Sequence, residues 1–107
     1  MLAVIFEVTP KAQGKQAYLD LAASLRPLLQ HQPGLLSIER FQSLVEEGKL
    51  LSLSFWESEA AIASWRQQMD HQLAQKQGRD SLFHSYRIRV GQIVRDYTHD
   101  ERQQAPQ

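Results

Sequence analysis

Two residues on one helical run could do chemistry: Trp65 and His71, within Phe55 to Arg79, FWESEAAIASWRQQMDHQLAQKQGR. An indole offers a flat apolar wall, and an imidazole exchanges its proton near neutrality. Both residues also have plainer roles. A tryptophan on the inner face of a helix packs a core without further reason, so pocket wall and core packing stay open for Trp65. For His71 a solvated or structurally satisfied imidazole is favoured over a reactive one. Tyr86 is a candidate pocket hydroxyl. Arg40, Arg87 and Arg89 fall on strand-like sequence. They either make intersubunit ion pairs with Glu39 or Glu7, which is the favoured reading, or hold an anionic ligand. Much other chemistry is excluded. The chain has no cysteine, which removes disulfides, thiolate metal sites and a thiol nucleophile together. No His and carboxylate spacing marks a metal site, and neither a phosphate loop nor a nucleophile triad is present.

The elements that must position these residues can be read in order. Leu2 to Val8 is β-rich and apolar at both parities except for Glu7, which predicts a strand covered on both faces and ending at Thr9-Pro10. Glu7 is expected at the rim of the sheet. Gln13 to Gln30 is an amphipathic helix with Tyr18, Leu21, Ala22, Leu25, Leu28 and Leu29 as its inner stripe. Pro27 should loosen its last turns, Pro33-Gly34 ends it, and His31 is a solvated residue near its C-terminus. Leu35 to Leu44 and Lys49 to Trp56 form a hairpin around Glu46-Glu47-Gly48. On the second of these strands Ser52 and Ser54 share a face with Leu50 and Trp56, so that face leaves space for a ligand or a partner. Trp56 itself reads as packing at the strand end.

Ser58 is a good N-cap for the next helix, and Ala61, Ile62, Trp65 and Met69 form its inward stripe. On one straight helix Trp65 and His71 would lie about 120° apart. Asp70 can cap a second short helix ending at Gly78, and a break there would turn both side chains to one cavity. The break is the favoured reading. Ser81 to Tyr97 reads as a long final strand, bent or bulged at Gly91, that reaches beyond its own subunit.

At 107 residues, 42% hydrophobic and 22% charged, the chain has room for one globular domain. That domain is expected over residues 1–97, with 98–107 a polar, disordered tail. Twelve Lys and Arg balance twelve Asp and Glu, so no field draws in nucleic acid or an anionic membrane. No stretch is long and apolar enough to span a bilayer and no signal peptide is visible, so a cytoplasmic protein is expected.

The order β-α-β-β-α(α)-β predicts an α+β, ferredoxin-like fold with helices on one face of an antiparallel sheet. The two-sided apolar strands then call for a partner on the other face, and a homodimer is the simple solution. Certain residues carry a resemblance to a known family. They are Pro33-Gly34-Leu35, Phe55-Trp56-Glu57-Ser58-Glu59-Ala60, Trp65 followed by His71, Gly78-Arg79, and Tyr86-Arg87-Ile88-Arg89-Val90 leading to Val94-Arg95-Asp96-Tyr97. The sequence resembles the antibiotic biosynthesis monooxygenase domain of the dimeric α/β-barrel superfamily.

That resemblance implies cofactor-free oxidation of a quinol- or polyphenol-like aromatic substrate by dioxygen, in a pocket between sheet and helices. It implies catalytic roles for Trp65 as pocket wall, His71 as proton acceptor or hydrogen-bond donor, and Tyr86. Phe6, Arg40, Phe55 and Met69 are the expected substrate-pocket residues. The alternative is a non-enzymatic binding domain of the same dimeric fold, holding an aromatic or haem-like ligand. Haem-degrading relatives use an Asn, a Trp and a ligating His. This chain has no Asn, and Gln75 stands where that ligand is expected. No cofactor is therefore expected, and haem bound by His71 or His84 is disfavoured.

Overall fold

The computed structural model describes residues 1–12, 14–76 and 83–106, with side chains throughout these except at 71–76 and 83–84. The elements run β1 (Leu2–Pro10), α1 (Lys15–Gln30), β2 (Leu35–Gln42), β3 (Leu50–Trp56), α2 (Glu59–Lys76) and β4 (Phe83–Gln92). The four strands form one sheet in the order β2-β3-β1-β4, and every neighbouring pair is antiparallel. This is the expected α+β ferredoxin-like arrangement. It places the doubly apolar β1 in the middle, where both of its edges are paired.

Register fixes which side chains share a face. Phe6 lies opposite Ser52 and Ile88, and Ser52 lies opposite Arg40. In the next layer Val4 lies opposite Ser54 and Val90, and Ser54 opposite Ile38. These residues face the helices. The other face carries Ala3, Ile5, Glu7, Leu51, Leu53, Phe55, Arg87 and Arg89. Glu7 lies on this face rather than at a rim: it accepts from Arg89 Nη1 at 2.9 Å and pairs with Lys49 Nζ at 3.2 Å. The Arg89 pair thus forms within one chain, not between subunits.

Helix α1 buries Tyr18, Leu21, Ala22, Leu25 and Leu29, while Leu28 of the expected stripe is exposed. The helix runs through Pro27, three residues before its end, at the loss of the one bond that an N–H there would give the Ala23 carbonyl. His31 is the exposed C-cap. The hairpin turn closes through Ser43, whose Oγ accepts from the amides of Val45 and Glu46, and Gly48 takes a φ of +83° there. Ser58 caps α2 as expected, its Oγ accepting from the Ala61 amide at 3.2 Å.

Two expectations are corrected. Helix α2 is continuous from Glu59 to Lys76, with no break at Asp70. A capping residue interrupts a helix only where the ladder around it is already failing, and here good helix formers flank it on both sides. The last strand spans Phe83–Gln92, shorter at its C-terminal end than the sequence suggests. Its irregularity falls opposite Thr9 and Pro10, while Gly91 pairs regularly with Ala3. Proline has no N–H to give the ladder, which places the slip at Pro10. The Gly78 stop lies outside the described residues. Beyond β4, the Thr98 hydroxyl accepts from the amides of Asp100 and Glu101, and Arg102 stacks 5.2 Å from the Tyr97 ring centre.

Candidate functional site

A cavity of about 470 Å³ lies between the sheet and the two helices. Its size follows from the sequence. On the helix side of β3 the side chains are Ser52 and Ser54, so the middle of the sheet floor is low. Ser54 is buried yet satisfied, accepting from Trp56 Nε1 at 2.8 Å. Trp56 is 1% exposed and closes the floor at the strand end. Phe6 and Tyr86 continue the floor, their rings 6.0 Å apart at 55°.

The roof comes from the helices. Leu21 and Leu25 of α1 form the buried centre, and Trp65 and Met69 of α2 pack against them. Trp65 therefore serves both open roles at once: it packs the core and forms a cavity wall. Ile62, Trp65, Arg66, Met69 and Asp70 all line the space. At about 100° per residue these positions span an arc of roughly 140° on α2.

Of the expected site residues, Phe6, Arg40, Trp65, Met69 and Tyr86 meet at this cavity. Phe55 does not. It alternates with Ser54 and Trp56 and so lies on the opposite face, paired with Ala3. The backbone of His71 belongs to α2, and its side chain lies outside the described residues. In the unbroken helix, position 71 is about 170° from the middle of the cavity-lining arc. The side chain of His84 likewise lies outside the described residues. Among the described residues no group of three His, Asp or Glu could hold a metal ion, and no helix is long and apolar enough to cross a membrane.

Tyr18 is the residue that sequence reasoning assigned to packing alone. It is buried, lines the cavity and hydrogen-bonds Arg40. Burial pushes its phenol above the usual value, and the guanidinium opposes that shift. The available signal was a phenol on an otherwise aliphatic stripe, because a buried tyrosine hydroxyl needs a partner. Arg40 itself projects from the helix side of an edge strand, where it is solvent-exposed at the cavity's margin.

Four similarities relate this chain to known proteins, the last of them in fold alone. The family model described as antibiotic biosynthesis monooxygenase matches residues 1–77. A jasmonate monooxygenase from Pyricularia oryzae is 43% identical over 94 residues, which are 88% of this chain and 44% of that protein. The chain thus spans less than half the length of that relative. An uncharacterised Bacillus subtilis protein, YqjZ, is 33% identical over 93 residues, covering 87% of this chain and 79% of that one. Among solved structures, Rv0793 from Mycobacterium tuberculosis superposes with a TM-score of 0.75 at 18% identity, covering 91% of this chain and 98% of that one.

Proposed function

Because the chain belongs to the antibiotic biosynthesis monooxygenase family, we propose that it is a monooxygenase domain oxidising a quinol- or polyphenol-like aromatic molecule with dioxygen. The reaction uses no metal or flavin. The observation that carries this reading is the cavity walled by Trp65, Phe6, Met69 and Tyr86. Its volume lies within the range of about 300–1,000 Å³ typical of small-molecule sites.

The chemistry balances with dioxygen alone. Loss of a phenolic proton raises the electron density of the ring, which passes one electron to dioxygen. The resulting radical pair combines to a C–O bond, giving a peroxide. Loss of water from the peroxide leaves a new carbonyl, so one oxygen atom enters the product and the other leaves as water. The four electrons come from the substrate, which ends as a hydroxyquinone. The protein's tasks are to hold the ring, accept the proton and exclude water from the intermediate. Trp65 supplies the wall and the Tyr86 hydroxyl holds a substrate oxygen, while position 71, about 170° from the cavity-lining arc of the unbroken α2, is not where a proton acceptor for this cavity would sit. The chain acts as a homodimer joined through the sheet face that the helices leave bare.

The 43% identical relative favours a second substrate reading. Jasmonate is by its name the anion of a carboxylic acid, and such an acid suits the same cavity; having no quinol electrons to give, it would need an external two-electron donor such as a reduced nicotinamide for one oxygen atom of dioxygen to leave as water.

Oxygen uptake by metal-free protein with a panel of quinols tests the first, and oxygen uptake with jasmonate in the presence and absence of a reduced nicotinamide tests the second. Turnover that falls at least about tenfold in Trp65→Phe and Tyr86→Phe is expected. Activity unchanged in these variants would remove the assigned residues, whereas His71→Ala, off the cavity-lining arc, should keep its turnover. Ligand binding with no oxygen uptake would leave a binding domain in place of an enzyme.

A further inference from the structure

Two arginines, one from each wall, line a cavity whose interior is otherwise almost wholly apolar. Arg40 comes from β2 in the sheet and Arg66 from α2, and both are exposed where the cavity meets solvent. The inner lining is Phe6, Leu21, Leu25, Trp65 and their neighbours, with the Tyr18 phenol among them. Charge thus sits at the mouth and hydrocarbon behind it.

The position of Arg40 is unusual for its strand. Its helix-side neighbours in the sheet layer are Ser52, Phe6 and Ile88, so no carboxylate shares its row. Glu39, next in sequence, falls on the other face by strand alternation. Among the described residues no ion pair involves Arg40, whereas Arg89 on the opposite face is paired with Glu7 at 2.9 Å. The small Ser52 beside Arg40 leaves room over the guanidinium, and the hydrogen bond with buried Tyr18 ties that guanidinium to the border between apolar interior and water. Asp70 is the one carboxylate lining the cavity among the described residues. It stands four positions after Arg66 on the same helix, where it offsets that charge in part. Among the described lining residues the mouth keeps a net positive charge.

We propose that the cavity takes a substrate with an apolar ring body and a carboxylate head, and that Arg40 is the anchor for the head, with Arg66 facing it. A guanidinium fork matches a carboxylate in two parallel hydrogen bonds, which a neutral ester cannot accept with the same strength. The body then lies against Trp65. This rests on the reading of the cavity as the substrate site and adds the charge of the substrate to it.

Quenching of tryptophan fluorescence in the full chain reads binding, since Trp56 and Trp65 both line the cavity. The probes are 2,5-dihydroxyphenylacetate and jasmonate, each against its methyl ester. The acids should bind about tenfold more tightly than the esters. Arg40→Met should abolish that preference while leaving ester binding in place. Arg87→Met, an arginine on the other sheet face, should keep it. If Arg40→Met does not fold, the wild-type preference should still shrink at 1 M salt, where the Debye length is about 3 Å. Equal binding of acid and ester by the wild-type protein, or a preference that survives Arg40→Met or high salt, overturns the proposal. Absence of binding by every probe overturns it together with the cavity reading. An Arg40-dependent preference without oxygen uptake upholds it and removes only the monooxygenase reading.

Discussion

Gly34 and Ala61 approach so closely that a Cβ built on the glycine would collide with the Ala61 Cβ. Gly34 also has a φ of +83°, and its carbonyl accepts from the Glu57 amide at 2.8 Å. One residue thus joins the end of the α1–β2 loop to the start of α2, and so helps place the roof over the cavity. Gly34→Ala carries two costs, the left-handed backbone and the displacement of α2. Together they should lower stability by about 2 kcal/mol or more, measured by chemical denaturation. Adding Ala61→Gly should relieve only the collision. A Gly34→Ala variant as stable as wild type would show that α2 shifts freely at this point.

The Glu7 carboxylate is held below its usual value by the hydrogen bond from Lys49, with the charges of Lys49 and Arg89 adding to that effect against some desolvation. A group whose folded pKa is lowered contributes stability above its unfolded pKa and loses it as the pH falls through the folded one. Wild-type stability should therefore drop as the pH falls below the ordinary Glu value of about 4.3. Glu7→Gln should be less stable at neutral pH and show a shallower loss in acid. Parallel denaturation curves for the two proteins across that range would argue that the pairs contribute nothing, as surface pairs often do.

Tyr18 predicts the opposite limb. Burial raises its phenol pKa, the Arg40 charge and hydrogen bond opposing. A raised pKa means that the stabilising contribution is complete below the unfolded value of about 10 and is lost as the pH climbs through the higher folded value. Tyr18→Phe should cost about 1 kcal/mol at neutral pH through the lost hydrogen bond. It should also remove part of the alkaline destabilisation. An unchanged alkaline limb would place the titration elsewhere.

What was legible in the sequence was periodicity. Strand alternation set Ser52, Ser54 and Trp56 on one face, and the helical stripe of α1 set Leu21 and Leu25 inward; both hold in the fold. What could not be read were features fixed by neighbours distant in sequence. Asp70 has the chemistry of a helix cap, yet capping preference is local and weak beside an intact ladder, so α2 continues. Phe55 resembles a pocket residue by type, while its parity alone sends it to the far face. The hydrogen bond between Tyr18 and Arg40 joins residues on α1 and β2, and no spacing rule announces it. The sheet arginines divided. Arg89 found its carboxylate within the chain, and Arg40 came to the cavity.

The bare sheet face supplies the last prediction. Leu53 sits on central strand β3, between Ile5 on β1 and Glu39 on β2, with Leu51 and Phe55 on the same face. Both helices cover the opposite face, as the cavity lining shows. In the proposed homodimer this apolar row meets its copy across a two-fold axis, where each residue faces the same patch. Leu53→Glu would set a carboxylate, and its symmetry mate, into that row beside Glu39, and an unpaired buried charge costs several kcal/mol. Wild-type protein should sediment at about twice 12.3 kDa at low micromolar concentration, and Leu53→Glu as a monomer of single mass. The position is partly exposed within one chain, so the monomeric variant should keep its fold by circular dichroism. A wild-type protein that sediments only at 12.3 kDa would sink the homodimer. The apolar outer row on β1 and β3 would then have to be covered by something other than a second copy of this chain.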